Sequence, residues 1–405
     1  MEFLIGHDII GSANNICYTI DSAGFSKPTK SVDWIYTAAS DTDLLSINEL
    51  FLLNKIKINP RPPQKYRNAL KSVGINSMGS VPWRYILPLS HYKRYCHRVA
   101  SDISKHFKKL DKDYYTNTFK PSGNILKCLK RAHIDKKKYL EFARSEVNAA
   151  PLSVLESFEP LDDGLSKPVQ YDRYSSKTGR LTVKSGPNIM ILKKGYRNIL
   201  KSSFKNGKII QLDYSSFEAR LALGLAGRKT DLIDVYTYIS DALFGGTLKR
   251  DACKTMVLGV LFGMGVEAMA KLAGIDKNFA KTAKKKIKDY FNFKKTVQPL
   301  IETAENHGSI KNFYGRKIMA DSLLPGKLFN LLVQSTGVDA SLLGFSAFIK
   351  AALENQLEVR PLFVLHDALI LDCPEASIQK LDSAIKCAEV IKGFEINFPI
   401  KKTIL

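Results

Sequence analysis

The chain has 405 residues, 45% of them hydrophobic, and its 61 Lys and Arg against 39 Asp and Glu give a formal net charge of +22. That length allows two or three domains around a sizeable core, and the charge points to a polyanionic partner, nucleic acid before membrane. No window approaches the roughly 18 consecutive apolar residues of a membrane span, and the start, Met1 to Ile10, lacks a signal-peptide layout, so a soluble, intracellular chain with no membrane partner is expected.

Residues 1–82 mix short apolar runs with Gly, Ser and Asn, and Pro60-Arg61-Pro62-Pro63 reads as a stiff, exposed connection; no fold is assigned to this region. Residues 83–165 turn basic and helical, with Lys105, Lys108, Lys109, Lys127, Lys130, Arg131, Lys136, Lys137 and Lys138 set among apolar positions. They form either solvated helix faces or a phosphate-gripping surface, and the charge of the whole chain favours the second. Cys17, Cys96, Cys128, Cys253, Cys373 and Cys387 contain no Cys-x-x-Cys pair, which argues against a disulfide framework and a zinc ribbon. His91, Cys96 and His97 lack the spacing of a known tetrahedral metal site. From Asp162 onward strand-like and helix-like stretches alternate without an internal repeat, the pattern of an α+β architecture. The run Lys281, Lys284, Lys285, Lys286 and Lys288 falls in a predicted helix after Asn278, solvated or grazing DNA.

Three segments carry chemistry. Ile209, Ile210 and Leu212 read as a buried strand ending at Asp213, after which Phe217, Leu221, Ala222 and Leu225 take up helical spacing with Glu218 in the first turn. A carboxylate at a strand end is well placed to hold a metal, although taken alone it could equally cap the helix. Arg250, Lys254, Leu258 and Phe262 recur at four-residue steps, which stacks two cations above two apolar groups along one helix face. Such a face suits a triphosphate with a base attached, or is simply amphipathic. The two apolar runs of Leu362 to Leu371 flank His366-Asp367 as a tight hairpin, which presents Asp367 at its tip, able to face Asp213 across a neighbouring strand. A lone His-Asp pair also occurs in metal-dependent phosphohydrolases.

In this order the segments resemble the three ordered motifs of family A (polymerase I-like) DNA polymerases: Asp213-Tyr214-Ser215-Ser216-Phe217-Glu218, Arg250 through Gly263, and Leu365-His366-Asp367-Ala368. Thr178-Gly179-Arg180-Leu181, Pro187-Asn188, Gly315-Arg316 and Asn330-x-x-x-Gln334 match further motifs, so the resemblance covers about Val169 to Pro374. It implies an α+β right-hand polymerase fold, with a palm of antiparallel sheet over 166–227 and 308–405, helical fingers over 228–307, and a basic helical thumb over 83–165. It also implies extension of primer-template DNA with deoxynucleoside triphosphates in replication or repair. Asp213 and Asp367 would bridge two Mg2+ ions, about 3.5 to 4 Å apart in the two-metal scheme. Arg250 and Lys254 would bind the triphosphate, with Lys254 also protonating the departing pyrophosphate. Leu258, Phe262 and Tyr236 belong to the nucleotide site by the same likeness, and Glu218 would occupy the ribose 2′ edge and exclude ribonucleotides. Arg180, Asn330, Gln334, Arg316 and His366 would contact the DNA, the minor groove offering acceptors common to all base pairs.

The chain departs from the family pattern at four places. Ala368 replaces the usual Glu, Leu258 the usual aromatic, Phe262 the usual Tyr, and Tyr236 stands where a His would follow Asp234-Val235. Without the Tyr hydroxyl at 262 the sugar gate is expected to be looser, and with Leu258 dideoxynucleotides are expected to be poor substrates. No Asp-x-Glu strand precedes Pro60, so no proofreading exonuclease is expected. Two rival readings remain. A catalytically weak DNA-binding accessory that keeps the fold would be free to lose Asp213, Lys254 or Asp367, and all three are present. A His-Asp phosphohydrolase would need further His and Asp ligands, and the seven histidines are scattered.

Overall fold

A computed structural model of the chain describes residues 3–11, 19–21, 24–26, 31–38, 43–58, 60, 61, 63–75, 82–228 and 234–405. It forms two compact units, Met1–Thr116 and Asn117–Leu405. The first is built on a three-stranded parallel sheet, β1 (Phe3–Ile5), β2 (Trp34–Tyr36) and β3 (Leu45–Ser46), in that order. Its long helix α1 (Leu89–Phe107) buries Tyr92, Tyr95, Cys96, Val99, Ala100, Ile103 and Phe107, one stripe at three- and four-residue spacing. The Phe107 ring meets Phe3 at 5.8 Å and Trp34 at 5.1 Å. This stripe ties α1 to the first unit, so the boundary expected between residues 82 and 83 is not where the units divide, and the span 83–165 is split between them. Arg61 and Pro63 are exposed as expected, the Pro60 carbonyl accepts from the Tyr95 hydroxyl, and Pro62 lies outside the described residues. His91 meets the Tyr66 hydroxyl at 2.6 Å, and burial pushes the Cys96 thiol up to about 12.

The second unit is organised on a four-stranded antiparallel sheet of β4 (Lys208–Tyr214), β5 (Arg360–Leu365), β6 (Ala368–Cys373) and β7 (Ile400–Ile404), in the order β5-β6-β4-β7. Alternation along β4 and β6 sends Ile210, Leu212 and Tyr214, with Leu369, Leu371 and Cys373, into the main core. Ile209 and Ile370 point the other way, into a smaller core with Leu155, Phe158 and Phe363. Between β4 and β5 the chain makes α2 (Phe217–Leu225), α3 (Val235–Phe244), α4 (Arg250–Leu261), α5 (Val266–Ala273), α6 (Lys277–Tyr290), α7 (Phe293–His307) and the long α8 (Pro325–Glu354); α9 (Leu381–Glu389) follows the sheet hairpin. Asp276 starts α6 by accepting from the Asn278 and Phe279 N–H groups, which places the lysine run on the helix expected for it. By length and composition alone α8 is apolar enough to cross a membrane, but 72% of its most apolar window is buried inside the protein, as a core helix requires.

One carboxylate is sunk in that helix. Asp339 is 0% exposed and accepts from Asn312 Nδ2 at 2.7 Å, with Arg316 Nε at 3.7 Å. Removing the carboxylate would take its charged neighbour from a buried guanidinium. Asp339→Ala is therefore expected to cost about 3–5 kcal/mol in a urea titration, whereas Lys350→Ala, which breaks the exposed Lys350–Glu354 pair at 3.8 Å, should stay within about 0.5 kcal/mol of wild type. Equal effects would contradict the view that Arg316 depends on Asp339.

Candidate active site

The site begins where β4 leaves the core. Asp213, its penultimate residue, pairs with Ala368 of β6 on one side and Lys401 of β7 on the other. It lies within the strand, and the cap position of α2 falls to Ser216, in the left-handed region at φ 53°, so Asp213 is not a helix cap. β5 and β6 are joined by the two residues His366-Asp367, with Leu365 opposite Ala368. His366 takes φ 54°, a conformation that costs a non-glycine residue about 1 kcal/mol or more. The turn is held to β4 by the Tyr214 N–H, which donates to the Asp367 carbonyl at 3.2 Å. Tyr214 is anchored in turn by its hydroxyl, donating to the Ala388 carbonyl at 2.8 Å, and by stacking on Phe217 at 4.7 Å. Gly344 of α8 makes room for that ring, because a Cβ there would lie 1.9 Å from the Tyr214 hydroxyl.

Asp213 and Asp367 line one cleft of about 410 Å³. Glu218 enters it from the first turn of α2, Tyr236 from α3, Lys254 and Leu258 from α4, Gln334 from α8, with Arg180 and His366 at its wall. Arg180 Nη2 lies 3.4 Å from Glu218 Oε1. Four residues singled out from the sequence lie elsewhere. Arg250, at the start of α4, is paired with Asp234 at 2.5 Å. Phe262 sits just past the end of α4 and packs against the main core. Asn330 is one turn before Gln334 on α8, and its buried Oδ1 has no partner among the described residues. Arg316 is 6% exposed and lies beside Gly179, whose φ of 79° and missing side chain leave space for the guanidinium.

Two cations that sequence reasoning passed over complete the site. Lys194 and Arg197 lie in a 3-10 turn, Lys194–Ile199, and both act electrostatically on Asp213. Arg197 is nearly buried, donates through Nη1 to Gln211 at 3.0 Å, and its Nε has no partner among the described residues. Gln211 and Asp213 share a face of β4, so the only sequence signal for Arg197 was a basic stretch upstream of an alternating strand. Ala368 lies directly across from Asp213 and is buried.

The charges define what the cleft lacks. Burial, then Asp367, push the Asp213 carboxyl up to about 6, against the pull of Lys194, Lys254 and Arg197. Burial raises Asp367 as well, with Glu218 adding to the shift and its own backbone, Lys254 and Arg180 opposing it. Glu218 is raised by burial against Arg180 and Lys254. Burial, Arg180 and Arg197 hold the His366 imidazole below its usual value, which favours the neutral ring. Three carboxylates thus converge with incomplete neutralisation, the condition under which a polyvalent cation binds well.

This architecture is the α+β right-hand polymerase fold. The chain superposes on the POL domain of Pol1 from M. smegmatis, described in complex with DNA primer-template and dNTP, with a TM-score of 0.66 over 89% of this chain and 81% of that one, at 13% identity. The sequence model described as DNA polymerase family A matches residues 168–402, and the chain belongs to that family. It is 23% identical over 235 residues to DNA polymerase I of Chloroflexus aurantiacus, covering 52% of this chain and 25% of that protein. It is 25% identical over 312 residues to the thermostable DNA polymerase I of Thermus aquaticus, covering 67% of this chain and 36% of that protein. The chain therefore spans between a quarter and just over a third of the length of these relatives.

The raised Asp213 value has a testable sign. Because the folded value of about 6 exceeds the ordinary 3.8, the destabilisation is absent below about pH 4, grows between the two values and is complete above about pH 6. In metal-free buffer at pH 8, Asp213→Asn is expected to stabilise the protein by about 1–2 kcal/mol after allowance for solvent screening, and the gain should vanish near pH 4. Thermal unfolding across that range checks it; a variant no more stable than wild type at pH 8 would contradict the strained carboxylate pair.

Proposed function

We propose that the protein is a DNA-directed DNA polymerase, extending a DNA primer on a DNA template with deoxynucleoside triphosphates and releasing pyrophosphate, in replication or repair. The observation that carries this reading is the convergence of Asp213 and Asp367, from adjacent strands, in one cleft with Lys254 and Glu218. On this reading the sheet with α8 serves as the palm, over 166–227 and 308–405, and α3 to α7 as the fingers, over 228–307.

The cleft suits hard divalent cations. Its acids are buried and repel one another, while among the described residues no group of three or more His, Cys, Asp or Glu forms a self-sufficient metal site. Two carboxylates and the oxygens of a substrate phosphate make the kind of shared ligand set that Mg2+ takes. Asp213 and Asp367 would hold two Mg2+ ions, which would supply activation of the primer 3′ hydroxyl and neutralisation of phosphate charge. Lys254 neutralises the triphosphate and gives a proton to the departing pyrophosphate, and Arg250, one turn nearer the start of α4, binds the outer phosphates. Leu258 and Tyr236 wall the sugar and base, with Phe262 packed behind them. Glu218 closes the 2′ edge, where a ribose hydroxyl would face a half-buried carboxylate. Arg180, Gln334, Asn330 and His366 line the path of the primer terminus and its minor groove. Arg316 acts on this path through Gly179-Arg180, against which it is packed.

The rival reading, a DNA-binding accessory without catalysis, predicts binding alone. Primer extension with purified protein and Mg2+ separates the two. Asp213→Ala or Asp367→Ala should lower extension more than about a thousandfold while primer-template affinity, which rests on phosphate contacts, changes little. Extension within tenfold of wild type in either variant would overturn the metal assignment, and binding without extension by wild type would favour the accessory.

A further inference from the structure

Asp234, the residue that precedes α3, uses its two carboxylate oxygens for two different helices. Oδ1 accepts from the Tyr236 N–H at 3.0 Å and the Thr237 N–H at 3.3 Å, capping α3. Oδ2 accepts from Nε of Arg250 at 2.5 Å, at the first residue of α4. One carboxylate therefore ties together the first turns of α3 and α4. The Arg250 guanidinium also lies over the Tyr236 ring, 5.7 Å from its centroid, and Tyr236 lines the cleft. The ion pair is half-exposed, and such pairs add little to folding stability. Its geometry is more telling than its strength. Contact through Nε orients the guanidinium and leaves the terminal nitrogens for another acceptor; among the described residues Nη1 has only the outlying carboxylate of Asp251, at 3.5 Å and with its side chain 94% exposed.

We propose that Asp234 is a positioning residue for the polyphosphate of the incoming nucleotide: it grips Arg250 by Nε, so that the terminal nitrogens face the phosphate oxygens beside Lys254. This rests on the reading of the cleft as a nucleoside triphosphate site. A free arginine side chain loses much rotamer freedom when it closes on a phosphate, and a partner that holds it beforehand removes part of that cost from binding. The fork geometry that makes arginine a good phosphate ligand is useful only when its plane is set. The carboxylate is suited to the task, because its hydrogen bonds outweigh burial and hold it below its usual range, ionised at neutral pH. Sharing Asp234 with the α3 cap also fixes Arg250 relative to Tyr236 and hence to the cleft wall.

The test uses Asp234→Asn, which keeps a good helix cap but removes the charged partner of Arg250. Nucleotide affinity is read from binding of a matched deoxynucleoside triphosphate to the protein on a dideoxy-terminated primer-template, alongside steady-state KM and kcat. The expected result is a five- to tenfold rise in Kd and KM, about what one ordinary net hydrogen bond contributes, with kcat within twofold and the melting temperature and primer-template affinity unchanged. Arg250→Ala should weaken nucleotide binding at least as much, and the double variant should be no weaker than Arg250→Ala alone. A Kd within twofold of wild type, a tighter Kd as expected of a competitor that phosphate displaces, or additive losses in the double variant would each overturn the proposal. If Arg250→Ala binds nucleotide normally, the assignment of Arg250 fails; a wild-type protein that binds no triphosphate on primer-template overturns the reading of the cleft itself.

Discussion

The structure depends on holding two acidic side chains together in a place that does not suit them. Asp213 and Asp367 are brought to one cleft by adjacent strands and a two-residue turn, and both carry carboxyl groups shifted toward protonation. Left to local forces, such a pair would separate. What prevents it is the sheet, since β4 is paired on both sides and cannot move its end without breaking either ladder. The backbone bond from Tyr214 to Asp367 adds a further tie at the turn itself.

The surrounding architecture can be read as support for that constraint. Tyr214 follows Asp213 in the strand, so its anchoring on Ala388 and Phe217 fixes the carboxylate one residue away. Gly344 and the apolar length of α8 permit this anchor, and the same helix presents Gln334 to the cleft. Arg180 pairs with Glu218, but the cations near the two aspartates act on them electrostatically without pairing: Lys194 and Arg197 on Asp213, and Lys254 from α4 on both. Such an arrangement lowers the repulsion without satisfying the acids, and leaves room for a ligand of mixed charge.

The parts of the fold legible in the sequence were those with a clear period. The apolar stretch of Ile209, Ile210 and Leu212 gave β4, the paired apolar runs gave the β5-β6 hairpin, and four-residue steps gave α4, although Phe262 falls just beyond its end. The first unit was not legible because its strands are only two or three residues long, too short for a period of two to register. Its boundary was set by the apolar stripe of α1, which looks in sequence like one more basic helix. The two arginines placed outside the cleft share one cause, a tertiary partner distant in sequence. Arg250 is engaged by Asp234, 16 positions earlier, and Arg316 by Asp339, a carboxylate hidden in the long apolar helix α8. Arg197 was missed for the opposite reason, since no regular element announces the turn that carries it.

The central claim is that the two acids act as a pair on divalent cations, and the most direct measurement is the number of ions they bind. Mn2+ counted by electron paramagnetic resonance, on protein held with a dideoxy-terminated primer-template and the matching deoxynucleoside triphosphate, should give two tightly bound ions per molecule. At least one should be lost in Asp213→Asn and in Asp367→Asn alike. Unchanged Mn2+ binding in both variants would contradict the account, whatever their effect on extension.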